Sequence, residues 1–253
     1  MKQTQRHDAI IELVKKQGYV STEELVEQFA VSPQTIRRDL NDLEARGHIA
    51  KVYGGVTAIS SSGAILPPPV RSSMNSADKN LIGRLAAGEV NDGDTIFIDS
   101  GTTTLCMLRY LTGRKKLTIV THSLAAMAEA SKYENLSLIC PGGIYSPPTD
   151  SFVGLSTFES LSGMTITKAF MAATGVSLES GMTNTTFLEA EIKRGVAHRA
   201  SSVYLMADSS KLDKEAVISF CQLRDLTAFV TDRRPPDRYI EFFRTHGIRV
   251  LCQ

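Results

Sequence analysis

Apolar residues recur at helical spacing as far as Leu43 and in short strand-length runs beyond Thr95, and this change of period divides the chain. Ile10, Ile11, Leu13 and Val14 fall on one helical face that runs out at Gly18, a residue type suited to a helix C-cap. Ser21-Thr22-Glu23-Glu24 has the form of a capping box and opens a short helix whose apolar members are Leu25, Val26 and Phe29. After Ala30-Val31 another helix begins, because Ser32 is an N-cap type and Pro33 suits the first helical position. Its Ile36, Leu40 and Leu43 share one face, while Gln34, Arg38 and Asn41 share the other. Ile49–Val56 then reads as a hairpin or wing.

Residues 58–74 form a linker by composition, with Ser60-Ser61-Ser62-Gly63 flexible and Pro67-Pro68-Pro69 stiff. The boundaries are therefore 1–57, 58–74 and 75–253. In the last segment strands are predicted at Thr95–Ile98, Leu117–Val120, Leu136–Cys140, Ala169–Ala173, Val203–Ala207, Ala228–Thr231 and Ile248–Leu251. Helices are predicted around 78–90, 103–112, 123–132, 188–200 and 235–246. Strands alternating with helices imply an α/β fold with a mostly parallel sheet covered on both faces.

Two short helices joined by a tight turn set the second against a DNA groove, and a hairpin completes a winged helix-turn-helix. On that reading Ser32, Gln34, Thr35, Arg37, Arg38 and Asn41 face base edges or phosphates, and Lys51 of the wing reaches a phosphate. The signal is placement rather than charge. Residues 1–57 carry equal numbers of acids and bases, and the whole chain has a formal charge of +1. Binding must rest on a local patch, doubled by homo-oligomerisation into a dimer or tetramer.

Polar residues collect where the predicted strands end. Asp99-Ser100-Gly101-Thr102-Thr103-Thr104 follows the first strand, Thr121-His122-Ser123 the second and Pro141-Gly142-Gly143 the third. Thr174-Gly175 follows the fourth and Asp208-Ser209-Ser210-Lys211 the fifth. In an open α/β sheet these positions line a crevice at the carboxyl edge, and hydroxyls, glycines, helix N-termini, acids and a lysine suit a small phosphorylated polyol. The effector candidates are Asp99, Gly101, Thr102, Thr103, Thr104, His122, Ser123, Gly142, Gly143, Gly175, Glu189, Asp208 and Lys211. Gly101–Thr104 would hold the phosphate through backbone N–H and hydroxyl groups, with Lys211 as a point charge. A plainer reading stands beside this one. Gly101-Thr102 makes an ordinary N-cap, Asp208-Ser209-Ser210 a turn capping its own backbone, and His122 a surface or capping histidine.

Cys106, Cys140, Cys221 and Cys252 are far apart and lie in or beside apolar runs, so they read as buried, reduced thiols of a cytoplasmic protein. No run approaches membrane-spanning length, and no metal, cofactor or catalytic residue is expected.

Ser32-Pro33-Gln34-Thr35-Ile36-Arg37-Arg38-Asp39-Leu40 resembles the DeoR-type family of bacterial sugar-catabolism regulators, and Tyr53-Gly54-Gly55 is similar to the wing that follows it there. The similarity continues through Asp99-Ser100-Gly101-Thr102-Thr103, Pro141-Gly142-Gly143, Gly181-Met182-Thr183, Glu189 with Lys193-Arg194, and Ala207-Asp208-Ser209-Ser210-Lys211. The resemblance implies a repressor with a C-terminal sensor domain resembling ribose-5-phosphate isomerase, released from double-stranded operator DNA by a phosphorylated sugar. The chain departs from the family at His122, usually Asn; Ala172, usually Gly; Thr174, usually Asp; Thr186, usually Asn; and Leu212, usually Phe. The alternative is a sugar-phosphate isomerase with an appended DNA-binding module. Asp99, Glu189 and Lys211 would then serve as acid–base groups, but that enzyme's lysine-glycine-glycine catalytic segment has no counterpart here.

Overall fold

The computed structural model describes residues 3–17, 19–46, 48–52, 54–58 and 68–253, which fall into two compact units, Met1–Met74 and Asn75–Gln253. The first unit runs α1 (Gln3–Gln17), β1 (Tyr19–Ser21), α2 (Thr22–Phe29), α3 (Pro33–Ala45), β2 (Ile49–Val52), β3 (Gly55–Ala58) and α4 (Pro68–Ser73). Ser21 accepts from the Glu24 backbone N–H while the Glu24 side chain returns to the Ser21 N–H, so the capping box is formed. Ile10, Val14, Val20, Leu25, Ile36, Leu40, Leu43, Ile49 and Val56 pack into one small core. β2 and β3 form the expected hairpin, and β1 joins it as a third, antiparallel strand that periodicity does not reveal. Three residues are too short to show alternation.

Two described stretches fall within the segment expected as linker. Strand pairing continues through Ala58, and Pro68–Ser73 is helical. Proline is tolerated in a first helical turn, where its missing N–H costs nothing. Gly18, Tyr53 and residues 59–67 lie outside the described residues.

In the second unit the chain passes through α5 (Ser76–Gly88), β4 (Thr95–Ile98), α6 (Thr102–Leu105), β5 (Leu117–Thr121), α7 (Leu124–Ala130) and β6 (Leu136–Ile139). A hairpin of β7 (Ile144–Ser146) and β8 (Ser151–Val153) leads to α8 (Leu155–Ser162) and β9 (Lys168–Met171). There follow β10 (Gly175–Ser177), β11 (Gly181–Asn184), α9 (Phe187–Arg199), β12 (Ser202–Met206), β13 (Ile218–Cys221), β14 (Ala228–Val230), α10 (Asp237–Thr245) and β15 (Arg249–Leu251). All seven predicted strands enter one sheet in the order β15-β14-β12-β9-β4-β5-β6, and every pairing in it is parallel. A separate antiparallel sheet, β10-β11-β13, was not predicted.

Alternation along the strands feeds two cores. Phe97, Ala169, Met171, Leu205 and Phe229 pack on one face with Ile192 and Val196 of α9 and Tyr239 and Phe243 of α10. Ile96, Ile98, Phe170, Tyr204 and Val230 pack on the other with Ile82 and Ala86 of α5 and Ala126 and Ala130 of α7. Burial on both faces is what makes these strands read as continuous apolar runs. The helix predicted over 103–112 breaks into α6 and a 3-10 turn at Leu108–Tyr110. Thr104 explains part of the break, because its hydroxyl bonds back to the carbonyls of Asp99 and Gly101 at 2.7 Å. The cysteines also differ from expectation. All four are free, but Cys140 is exposed and the others only half-buried, since they sit at the ends of elements rather than in their middles.

The chain turns from β4 to β5 and β6 on one side, then returns to β9 on the other. The switch point of the sheet thus lies between β4 and β9, the place where open α/β sheets bind their ligands.

Candidate functional site

In the first unit, α3 buries Ile36, Leu40 and Leu43 and exposes Gln34, Arg37, Arg38 and Asn41, as its periodicity predicts. Ser32 and Thr35 are committed to the cap, since the Thr35 N–H reaches Ser32 Oγ at 3.1 Å and the two hydroxyls stand 2.9 Å apart. Asp39 is the departure. It lies on the buried side of α3, where Arg6 Nε donates to it at 2.6 Å and His7 Nε2 stands 3.0 Å away, both from α1. Burial pushes the Asp39 carboxyl up, but its bonds with Arg6 and His7 outweigh burial and hold it below the usual range. α3 is therefore pinned to α1 by a buried ion pair. Lys51 of the wing also turns back on α3, with Nζ 2.6 Å from Asn41 Oδ1 and 3.2 Å from Glu44 Oε2.

In the second unit, register builds the site. Ile98 pairs with Thr121 on β5 and Phe170 on β9, so the next residue, Asp99, stands level with His122 and Met171 and its side chain reaches the Ala172 N–H. Asp99 is fully buried. Its Oδ1 is 3.3 Å from His122 Nε2, while its Oδ2 accepts from the Ala172 N–H at 2.9 Å and pairs with Lys193 Nζ at 2.9 Å. Lys193 comes from α9, one turn after Glu189, and also donates to the Ala172 carbonyl at 3.1 Å. Glu189 accepts from Ser100 Oγ at 2.6 Å, Asn184 Nδ2 at 2.6 Å and Thr186 Oγ1 at 3.3 Å. Thr174 Oγ1 continues the network to Asn184 Oδ1 at 3.1 Å.

Burial raises the Asp99 carboxyl, but the Lys193 ammonium and then His122 overcome it and hold the group well below the carboxylate range. Glu189 is shifted the same way. Burial and the neighbouring Asp99 raise it, while Lys193 and the Ser100 hydroxyl bring it below its ordinary value. The His122 ring stacks on Phe97 at 5.7 Å, and its Nδ1 lies 3.0 Å from the Phe152 carbonyl oxygen. The two ring nitrogens thus face two acceptors, a backbone carbonyl and a carboxylate.

Of the sequence candidates, Asp99, His122 and Glu189 come into one cluster, with Lys193, Ser100 and Asn184 as members that sequence reasoning did not select. The Glu189–Lys193 spacing was a signal, but it is also that of an ordinary surface pair. Gly101 caps α6 against Ala172, where a Cβ would overlap that of Ala172, and Thr102 and Thr103 follow at the helix start. Ser123 caps α7 through the Ala126 N–H at 3.2 Å. Asp208 accepts from the Ser210 N–H at 3.0 Å and from Asn75 at 3.3 Å, the self-capping turn of the plainer reading, and Lys211 closes that turn. Gly142 and Gly143 follow β6 at the outer edge of the sheet; the Gly142 carbonyl accepts from Thr157 at 2.7 Å. Gly175 begins β10, packed against the backbone of Lys214. A groove of about 510 Å³ between α8 and α9, lined by Phe158, Glu191, Arg194, Gly195, His198 and Arg199, includes none of the candidates.

Comparison with known proteins agrees with both halves. Residues 6–62 match the family described as the DeoR-like helix-turn-helix domain, and residues 74–233 match the DeoR C-terminal sensor domain. The chain is 40% identical over 239 residues to the HTH-type transcriptional regulator IolR of Bacillus subtilis (strain 168), covering 94% of this chain and 95% of that one. It is 35% identical over 253 residues to the glycerol-3-phosphate regulon repressor of Escherichia coli (strain K12), covering 100% of both. Among solved structures, ribose 5-phosphate isomerase A from Methanocaldococcus jannaschii aligns at 20% identity and TM-score 0.41, over 55% of each chain.

Proposed function

Since the chain belongs to the DeoR family of helix-turn-helix transcriptional regulators, we propose that it represses a carbohydrate catabolic operon and leaves its operator when a phosphorylated sugar binds the sensor unit. The observation that carries the reading is the buried cluster of Asp99, His122, Glu189 and Lys193 at the switch point of the parallel sheet. Such a cluster, rimmed by Gly101, Thr102 and Thr103, offers a sugar phosphate hydroxyl partners and backbone N–H groups. A relative named for a glycerol-3-phosphate regulon agrees with an effector of that chemistry. Four free thiols suit a reducing cytoplasm.

Binding without turnover is favoured over isomerisation. Moving a proton between adjacent carbons calls for a base whose pKa is near the working pH. Both Asp99 and Glu189 are instead held below their ordinary values, which makes them weak bases. An effector displaces the protein from DNA only through unequal affinity for the bound and released states. One recognition helix contacts few base pairs, so the repressor works as a symmetric oligomer on repeated half-sites.

The test is an operator-release titration with a panel of sugar phosphates and their unphosphorylated counterparts, run beside a turnover assay. Release by one phosphorylated compound without conversion is expected. Thr102→Ala or Lys211→Ala should weaken that response by about 1.5–3 kcal/mol, the range of a lost charge-assisted hydrogen bond. Equal potency of the two forms, or enzyme-like conversion, overturns the reading. Arg37→Ala/Arg38→Ala should weaken operator binding by about 1–3 kcal/mol per lost base contact.

A further inference from the structure

Lys51 of the wing strand β2 and Asn41 of α3 meet by design of the local chain. Glu44, one turn after Asn41, accepts from the Lys51 backbone N–H through Oε1 at 3.0 Å and faces the Lys51 ammonium through Oε2 at 3.2 Å. Those two bonds, the backbone one first, hold the Glu44 carboxyl below its usual range. They also fix where Lys51 Nζ stands, 2.6 Å from Asn41 Oδ1. An ammonium can only donate, so the Asn41 amide must turn its oxygen to Lys51 and its NH2 outward. Asn41 is exposed on the same face of α3 as Gln34, Arg37 and Arg38, and 40% of the Lys51 side chain is accessible.

A free asparagine in a major groove reads adenine, accepting from N6 while donating to N7. Asn41 is not free in that sense. With an ammonium seated on its oxygen, the pair presents donors side by side, and an adenine amino group brought to the same place would meet a competing donor. Guanine presents two acceptors there, O6 and N7. We propose that Asn41 and Lys51 act together as a two-donor reader that selects guanine over adenine at one operator position, with Glu44 as the positioning residue that holds Lys51 in place. This rests on α3 entering the major groove, and it replaces the phosphate contact expected for Lys51 from sequence.

The experiment is selection from a duplex pool with a randomised core, using the full chain and the variants Lys51→Met, Asn41→Ala and Glu44→Gln, each checked for folding by circular dichroism. The intact protein should enrich a motif with an invariant guanine. Lys51→Met removes the ammonium but keeps the aliphatic stem, so preference at that one position should move towards adenine, a loss of roughly tenfold or more in guanine-over-adenine discrimination. Asn41→Ala should relax the same position, and Glu44→Gln should relax it partly. A motif that is enriched but unchanged in Lys51→Met and Asn41→Ala, with affinity reduced evenly across sequences, makes both residues phosphate contacts and overturns this proposal alone. Enrichment of no motif by the intact protein overturns the groove assignment of α3 along with it.

Discussion

Lys193 Nζ stands 2.9 Å from Asp99 Oδ2, and the two side chains are 3% and 0% exposed. The pair joins α9 to the end of β4 across the switch point, so the charge on α9 is tied to the strand-end loop that carries Ser100, Gly101 and Thr102. Removing the ammonium alone leaves a buried carboxylate with only His122 and one backbone N–H. Lys193→Met should therefore destabilise the second unit by about 3–5 kcal/mol in urea unfolding. Asp99→Asn/Lys193→Met removes both charges and should recover most of that loss, whereas a single variant as stable as the parent would show that the pair does not hold the cluster together.

Acid should act through the same groups. Glu189 is held below its ordinary value of 4.5, so its contribution is complete at neutral pH and drains away as pH falls through and below that value. Asp99, ordinarily at 3.8, is likewise held below its ordinary value. Unfolding free energy measured from about pH 7 to pH 3 should thus fall less steeply in Glu189→Gln than in the parent chain. Parallel curves would place the acid sensitivity elsewhere.

Gly101 and Ala172 test the close approach of the β4 and β9 ends. Gly101→Ala places a Cβ on that of Ala172 and should cost about 1–3 kcal/mol by overpacking. Adding Ala172→Gly removes the obstruction, so the double variant should regain most of the stability in thermal melts. No rescue would mean that Gly101 is needed for its own backbone rather than for the approach.

The Arg6–Asp39 pair, with side chains 8% and 2% exposed, should matter to the first unit alone. Asp39→Ala leaves Arg6 buried without its partner and should raise amide hydrogen exchange in peptides from α1 and α3. Peptides from β4, β9 and β12 should exchange as before. Protection unchanged across α1 would show that the ion pair is not what docks α3.

The sequence by itself determined the elements whose signals are local. A capping box at Ser21, a proline at the start of α3 and a period-matched apolar face at Ile36, Leu40 and Leu43 depend on neighbours a turn apart, and all appear as read. The inner strands of the sheet were legible because burial on both faces writes an apolar run; the edge strands β6 and β15 are only half-buried, and strand ends moved by a residue or two. Tertiary structure alone decided which polar groups leave water. Asp39 reads as a surface acid until Arg6 and His7 of α1 meet it, and Lys193 as a surface partner of Glu189 until α9 packs on the sheet. Thr174, Asn184 and Thr186 become one network with Glu189 only because β11 ends beside α9. A charge is buried only where partners compensate its desolvation, and here those partners are set by strand register and helix packing, which bring distant positions together and leave no periodic trace along the chain.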